Sequence, residues 1–195
     1  MTPTVVVLAA GSSERMGRPK MLLPYGSATI LESTLSAIDD SAAADVVVVV
    51  GAAADDVQRA IEHTPVQVVR NADHLQGNMS SLLTATDHTP DADAFILVPG
   101  DQPNLQPSAI DAHIAAWNDR IPWAAVTAYR DRIGHPFLLS AAAVDHVQPH
   151  TGSKVLWETL VASGDERVEH IAVDTSAPLD VNTPDDYAEL RASDA

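Results

Sequence analysis

Short apolar runs alternate with amphipathic segments along the chain, and this alternation predicts most of its secondary structure. Residues 4–9 and 45–50 are dominated by β-branched side chains, which is typical of strands buried on both faces. Apolar residues at helical spacing predict a helix over residues 29–39. The same criteria predict further strands over residues 66–69, 94–98, 124–129, 136–139 and 168–173. They predict further helices over residues 55–62, 79–86, 107–117, 140–147, 154–163 and 184–191.

Strands that alternate with helices predict an α/β fold with a mostly parallel central sheet and helices on both faces. The length of 195 residues fits one domain over residues 1–195, in which we expect residues 192–195 to form a frayed tail. Ligands of such sheets bind beyond the carboxyl ends of the strands. The segments in which to look for a site are therefore residues 10–20, 71–81, 99–103 and 180–183.

The composition restricts the classes of function. With 27 Asp and Glu against 11 Lys and Arg, the net charge is −16, which argues against a general nucleic-acid or anionic-membrane surface. The absence of cysteine excludes a thiolate nucleophile and cysteine-bound metals. The amino terminus lacks the pattern of a signal peptide and no apolar run is long enough to span a membrane, so we expect a cytoplasmic protein.

The kind of acidity is also informative. The chain has 20 Asp but 7 Glu, and 9 Arg but 2 Lys. Such a surface repels itself at ordinary ionic strength, and concentrated salt screens that repulsion. We therefore expect a protein adapted to a high-salt cytoplasm, the alternative being a merely acidic protein.

One segment departs from this acidity. Residues 1–24 contain Arg15, Arg18 and Lys20 against Glu14, so this segment carries +2 and the remainder of the chain −18. The segment includes a loop rich in glycine and serine after the first strand, whose glycine spacing matches neither common nucleotide-binding motif. Backbone N–H groups of such a loop can face phosphate oxygens, and its cations add charge. The alternative is an ordinary turn with its cations in solvent.

Two other strand ends offer oxygen ligands. Asp101, between Gly100 and Pro103, is well placed to hold Mg²⁺, which binds one or two carboxylates together with substrate phosphates. Asp180 and Asn182 point the same way in extended backbone, so either could add an oxygen. The alternative for all three is the capping of a following helix.

The remaining candidates are less specific. Residues 70–82 form a polar loop that leads into a helix; its groups suit the edge of a nucleobase, although a loop with a helix cap is the simpler interpretation. His135, between a glycine and a proline, is of a kind that is usually structural. No H-E-x-x-H or G-x-S-x-G motif occurs.

Taken together, the segments LAAGSSERMGRPK, QGNMSSL, GDQP, GHP and LDVNTPDDY are collinear from residue 4 to about residue 191. In this combination the chain resembles the molybdenum cofactor cytidylyltransferases and, more broadly, the molybdopterin-nucleotidyltransferase-like NTP transferases. The resemblance implies a three-layer Rossmann-like fold of the glycosyltransferase-A type. It also implies Mg²⁺-dependent transfer of CMP from CTP to the terminal phosphate of molybdopterin, with pyrophosphate released. A molybdoenzyme would be the partner that receives the product.

The resemblance also assigns roles to residues by position. Arg15, Lys20 and Asp101 would be catalytic, and Asp101 would bind the metal together with Asp180 or Asn182. His135 and Lys154 would contact the acceptor. The residues expected to bind the nucleotide are Ala9, Ala10, Gly11, Ser12, Ser13, Arg15, Lys20, Asn71, Gly77 and Ser81.

Three departures from the family pattern leave alternatives open. Asn182 stands where the family often has aspartate, Asn78 interrupts the usual Gly-Met pair, and Lys154 stands where relatives tend to have arginine. Lys154 would either replace that cation or only face solvent. The LAAG form favours cytidylyl transfer. Guanylyl transfer, transfer to another acceptor such as a sugar phosphate, and a carrier without catalysis remain the alternatives.

Overall fold

The computed structural model describes residues 2–150 and 154–193. The strands are β1 (Thr4–Ala9), β2 (Pro24–Tyr25), β3 (Ala28–Thr29), β4 (Val46–Val50), β5 (Gln67–Arg70), β6 (Ala94–Pro99), β7 (Ala124–Ala128), β8 (Ile133–Ser140) and β9 (Val168–Ala172). The helices are α1 (Ile30–Asp39), α2 (Ala54–Ala60), α3 (Asn78–His88), α4 (Pro107–Arg120), α5 (Ala141–Val147), α6 (Val155–Trp157) and α7 (Pro184–Ser193). A π-helical segment, Glu158–Ala162, continues α6.

The central sheet has the strand order β5-β4-β1-β6-β8-β7-β9. Strands β5, β4, β1 and β6 are parallel, and β9 is parallel to β7. Strand β8 runs antiparallel to both of its neighbours, β6 and β7. The mostly parallel sheet predicted from the sequence is therefore confirmed, with β8 as the exception.

Helices cover both faces of the sheet, which gives the expected three layers. On one face, Val5 and Val7 of β1 belong to a buried cluster with residues of α1, α2 and α4. On the other face, Val6 and Leu8 belong to a cluster with residues of α3, α5 and α6. All six residues of β1 are buried, because this strand is at the centre of the sheet with helices on both sides.

Local signals explain where α1 begins. The Thr29 hydroxyl accepts a hydrogen bond from the Glu32 N–H at 3.2 Å, and the Glu32 carboxylate accepts one from the Thr29 N–H at 2.7 Å. This reciprocal capping box satisfies two N–H groups that a helix start otherwise leaves unpaired. The predicted helix over residues 29–39 is therefore confirmed, with Thr29 as its cap.

Several boundaries differ from the prediction. The short hairpin of β2 and β3 was not predicted, and the helix predicted over residues 154–163 divides into α6 and the π-helical segment. Helix α7 continues to Ser193, so residues 192 and 193 are helical and do not belong to a frayed tail. Residues 194 and 195 lie outside the described part. Within the described ranges, no helix is both long and apolar enough to cross a membrane.

Candidate active site

A cleft of about 690 Å³ opens beyond the carboxyl ends of β1 and β6. Because of the strand order, the loops that follow β1 and β5 lie on one side of β6, and the β7–β8 turn lies on the other. We call the first side, residues 10–20 and 71–81, the β1 half, and the second side, residues 129–135 and 177–178, the β8 half. Both halves contribute lining residues, and Asp101 lies between them at the end of β6.

The glycine-serine loop forms one wall of the β1 half. Ala10, Gly11, Ser12 and Lys20 line the cleft, as expected of a loop that faces phosphates. Its turn is tight: the Gly17 N–H donates to the Ser13 carbonyl at 3.1 Å, and the φ values of Ser13 and Gly17 are 54° and 71°. The positive φ at Gly17 is one that glycine adopts at low cost.

Ala9 and Ser13, which we expected to bind the nucleotide, do not line the cleft. Ala9 is 4% exposed and its side chain lies in the core against the helices, so it does not line the cleft. The Ser13 hydroxyl accepts from the Lys20 N–H at 3.2 Å and thereby holds the loop together.

Lys20 is the centre of a polar cluster at the bottom of the cleft. Its ammonium group forms an ion pair with the Asp101 carboxylate and donates to Asn182 Oδ1 at 3.1 Å. Arg15 donates to the same Asn182 oxygen, also at 3.1 Å, although Arg15 itself is exposed outside the lining. Residues that are far apart in the sequence are therefore brought together here, as the strand-end argument predicted.

The segment before α7 is fastened to the end of β6. The Val181 N–H donates to the Asp101 carbonyl at 3.2 Å, and Gln102 Nε2 donates to Asp180 Oδ1 at 2.6 Å. Burial raises the pKa of Asp101, while the neighbouring Lys20 ammonium opposes that effect by favouring the ionised carboxylate. The ion pair with Lys20 therefore stabilises the ionised form of Asp101 inside the cleft.

The oxygen atoms of this cluster fit a hard divalent cation. The Asp101 carboxylate and the Asn182 amide oxygen contact the Lys20 ammonium group, and the Asp180 carboxylate is held by the neighbouring Gln102. Oxygen donors are the ligands that Mg²⁺ prefers. Within residues 2–150 and 154–193, no group of three or more His, Asp or Glu side chains is arranged to hold a metal. The candidate ligand set therefore depends on the amide of Asn182.

The loop between β5 and α3 forms the other wall of the β1 half. Gly77 and Ser81 line the cleft as expected. Asn71 does not: it is 2% exposed, and its amide donates to the hydroxyls of Ser80 at 2.9 Å and Ser81 at 3.1 Å. Its Oδ1 accepts from the Asp73 N–H at 2.8 Å. Asn71 therefore supports the loop through hydrogen bonds and does not itself line the cleft.

His135 lies in the β8 half, where it lines the cleft. Its ring stacks on Phe137 with a centroid distance of 3.9 Å, and its Nε2 is buried without a hydrogen-bond partner. Burial lowers the pKa of His135 to about 4, so the ring is neutral at pH 7. His135 can contact a ligand through its ring, but it brings no positive charge.

The other expected acceptor ligand lies elsewhere. Lys154, for which we expected either contact with the acceptor or a position in solvent, is exposed at the amino end of α6 and does not line the cleft. The rest of the motif to which it belongs, residues 151–153, lies outside the described residues. The lining residues that were not predicted as site residues from the sequence include Gln102, Arg132 and Trp157. For Gln102, its place in the GDQP motif was a usable signal.

The fold and the cleft define a class of protein, an α/β nucleotidyltransferase. The chain matches the MobA-like NTP transferase domain over residues 5–170 and belongs to that family. It is 26% identical to the molybdenum cofactor cytidylyltransferase of Escherichia coli K12 over 183 residues, which are 93% of this chain and 92% of the relative. It is 33% identical to the nicotine blue oxidoreductase of Paenarthrobacter nicotinovorans over 78% of this chain and 79% of that relative.

A solved structure has the same fold as this chain. The structure of Rv0371c from Mycobacterium tuberculosis H37Rv in complex with manganese matches with a TM-score of 0.85 and 32% identity, over 99% of this chain and all of the other. The likeness extends over the whole sheet and both helical layers. The similar proteins are named for different activities, including an oxidoreductase, so the comparisons leave the acceptor of this nucleotidyltransferase to be determined.

Proposed function

We propose that this nucleotidyltransferase transfers CMP from CTP to the terminal phosphate of molybdopterin and releases pyrophosphate. The observation that carries the proposal is the cluster of Lys20, Asp101 and Asn182 next to the glycine-serine loop. It combines a cation for phosphate groups, Lys20, with oxygen atoms for a metal in one cleft. The choice of cytidine and of molybdopterin rests on the likeness to the Escherichia coli enzyme, which extends over 93% of this chain.

The chemistry needs no protein base. The second pKa of a phosphate monoester is about 6, so the acceptor is largely dianionic at neutral pH and can attack directly. One of its oxygens forms a bond to the α-phosphorus of CTP. The bond from that phosphorus to the bridging oxygen breaks, and the electron pair leaves with pyrophosphate. No catalytic histidine is required, which agrees with the low pKa of His135.

Catalysis in this scheme is positioning and electrostatic stabilisation. The glycine-serine loop would hold the triphosphate, and Lys20 and Arg15 would stabilise the charge that develops on pyrophosphate. Mg²⁺, when bound, would supply further positive charge at the phosphate oxygens. Asp101 would hold it together with Asp180 and Asn182, and the manganese in the complex of Rv0371c supports a divalent ion in this family.

A pyrophosphate-release screen tests the proposal. The purified chain is incubated with Mg²⁺ at low and high KCl, with CTP, GTP, ATP or UTP, and with molybdopterin or sugar 1-phosphates. We expect release only when an acceptor is present, and fastest with CTP and molybdopterin. Faster release with GTP, or with a sugar phosphate, would replace the base or the acceptor in the proposal. Binding of molybdopterin without release in any mixture would indicate a carrier.

A further inference from the structure

The β8 half of the cleft must accommodate a dianion if the acceptor is a phosphate monoester. The neighbouring groups do not favour this, since Asp101 and Asp180 both line the cleft and the whole chain carries −16. His135 is neutral there, and Lys154 lies outside the lining. A second cation is needed to offset the repulsion between the acceptor and both the carboxylates and the nucleotide.

Arg132 is a cation in that position. It lines the cleft in the turn between β7 and β8. Among the described residues that line the cleft, Arg132 is the one arginine, whereas Arg59, Arg70, Arg120, Arg130 and Arg167 lie outside the lining and each form an ion pair with Asp or Glu. Across residues 2–150 and 154–193, no such pair includes Arg132. An arginine that lines a cleft and forms no ion pair with Asp or Glu is suited to bind an anionic ligand.

The turn that carries Arg132 is rigidly attached. The Asp131 carboxylate accepts from the Ala177 N–H at 2.8 Å, and the Arg130 N–H donates to the Thr175 carbonyl at 3.1 Å. Arg132 itself donates through one terminal nitrogen to the Pro178 carbonyl at 2.5 Å. A guanidinium group has five N–H donors in a planar fork that matches phosphate oxygens. The contact with Pro178 orients this fork before a ligand binds.

The attachment also sets the location of the guanidinium group. Pro178 precedes Asp180 by two residues, and Asp180 is held by Gln102 next to Asp101. The strand order puts the β7–β8 turn and the glycine-serine loop on opposite sides of β6. A phosphate bound to Arg132 would therefore lie in the β8 half of the cleft. This is the side from which an acceptor would approach a nucleotide held by that loop.

We propose that Arg132 binds the phosphate group of the acceptor and selects for phosphorylated acceptors. The inference rests on the proposed function, because that function supplies a phosphate monoester as the second substrate. It goes further because it identifies Arg132 as the cation that binds the acceptor phosphate in the β8 half.

Variants at two arginines of the same turn test the assignment. Arg132→Gln removes the charge, Arg132→Lys keeps it, and Arg130→Gln is the matched control, because Arg130 pairs with Asp174 and lies outside the cleft. In assays with CTP and molybdopterin we expect Arg132→Gln to raise the KM for molybdopterin about tenfold, a typical effect of losing one charge-assisted hydrogen bond. Its KM for CTP should change less than threefold, and Arg132→Lys should recover part of the loss. An equal KM for molybdopterin in Arg132→Gln and Arg130→Gln would overturn the proposal.

A direct binding measurement separates charge recognition from a loosened turn. Inorganic phosphate is titrated into each variant in the presence of α,β-methylene CTP, and binding is followed by ³¹P line broadening. Arg132→Gln should lose phosphate binding relative to Arg130→Gln, and Arg132→Lys should retain most of it. Equal phosphate binding in all variants would overturn the assignment. If the wild type shows no turnover with CTP and molybdopterin, the proposed function fails, and phosphate titrated without nucleotide still tests Arg132.

Discussion

The ammonium group of Lys20 rests on the carboxylate of Asp101, and the two side chains are only 13% and 9% exposed. The same ammonium group contacts Asn182 Oδ1 at 3.1 Å. A cation of the protein therefore already lies on the oxygen atoms that are expected to hold a metal. If these oxygens hold a metal when the nucleotide binds, the ammonium group would have to leave them, and the phosphates of the nucleotide would offer it a new partner.

This arrangement predicts that loss of Lys20 has opposite effects on turnover and on metal binding. In Lys20→Met we expect turnover to fall by about 10²-fold or more, as is typical when a charge-stabilising group is removed. Binding of Mn²⁺ to the nucleotide-free protein should become tighter, because the competing ammonium group is gone. Electron paramagnetic resonance of free Mn²⁺ measures the affinity, with Arg59→Met on the exposed face of α2 as control. Weaker Mn²⁺ binding than in the control would contradict the competition.

Asp101→Asn provides the complementary prediction. The substitution keeps the shape of the side chain but removes the charge that would hold the metal. We expect turnover to fall by about 10²-fold or more, as with Lys20→Met, while Mn²⁺ binding becomes weaker instead of tighter. Circular dichroism confirms that the variant is folded. Near-normal turnover in the folded variant would remove Asp101 from its assigned role.

Most helices and strands could be predicted because the buried side of each element requires apolar residues at a regular spacing in the sequence. The run of apolar residues in β1 marks a strand with both faces covered, and its predicted bounds are those observed. The antiparallel direction of β8 could not be predicted, since the alternation of apolar residues is the same in parallel and antiparallel strands. The hairpin of β2 and β3 has two residues in each strand, too few for any periodicity.

Some residues of the candidate site could likewise be predicted from the sequence, and others could not. Lys20, Asp101 and Asn182 could be predicted because each follows a loop or strand end that the fold brings to one edge of the sheet. Asn71 stands in an equally polar loop, but hydrogen bonds to Ser80 and Ser81 turn its amide away from the cleft. Arg132 was missed because an arginine in a turn resembles any other surface arginine. Its distinction is its place in the lining of the cleft, which is visible only in three dimensions.

Asn182→Asp tests whether the amide oxygen limits metal affinity. Asn182 Oδ1 accepts from both Lys20 and Arg15, so a carboxylate at this position would have cations to balance it. The added charge should tighten Mn²⁺ binding by about tenfold, the effect of roughly 1.4 kcal/mol. Asn118→Asp is the matched control, because Asn118 is exposed on α4 and outside the cleft. Equal Mn²⁺ affinity in the two variants would show that Asn182 is not a ligand.

The acidic surface leads to a prediction about salt. With a net charge of −16, the folded chain repels itself, and the Debye length falls from about 10 Å at 0.1 M salt to about 3 Å at 1 M. We expect the Tm to rise by about 5 °C or more between 0.1 M and 2 M KCl, since about 1 kcal/mol corresponds to 2–4 °C in a chain of this size. Calorimetry in a KCl series measures it. A Tm that does not depend on KCl would favour the merely acidic protein.

A buried histidine under the β8 half should make the fold sensitive to acid. His113 is fully buried, and its Nε2 lies 2.8 Å from the Thr127 hydroxyl, which itself donates to the Pro136 carbonyl. The histidine must therefore donate through Nε2–H. Its Nδ1 is unprotonated and buried without a partner. Protonation would place an unpaired positive charge in the core, and burial accordingly lowers the pKa of His113 from 6.5 to about 3.

The sign of the effect on stability follows from proton binding. Between pH 6.5 and pH 3 the unfolded chain binds a proton at this position that the folded chain does not, so the free energy of unfolding falls as the pH is lowered. His113→Gln keeps an N–H donor for Thr127 but cannot titrate. Between pH 6.5 and 4.5 we expect the variant to lose about 2 kcal/mol less stability than the wild type in urea unfolding. His88→Gln, at an exposed position on α3, is the matched control, and the prediction is wrong if His113→Gln and this control lose the same stability over that range.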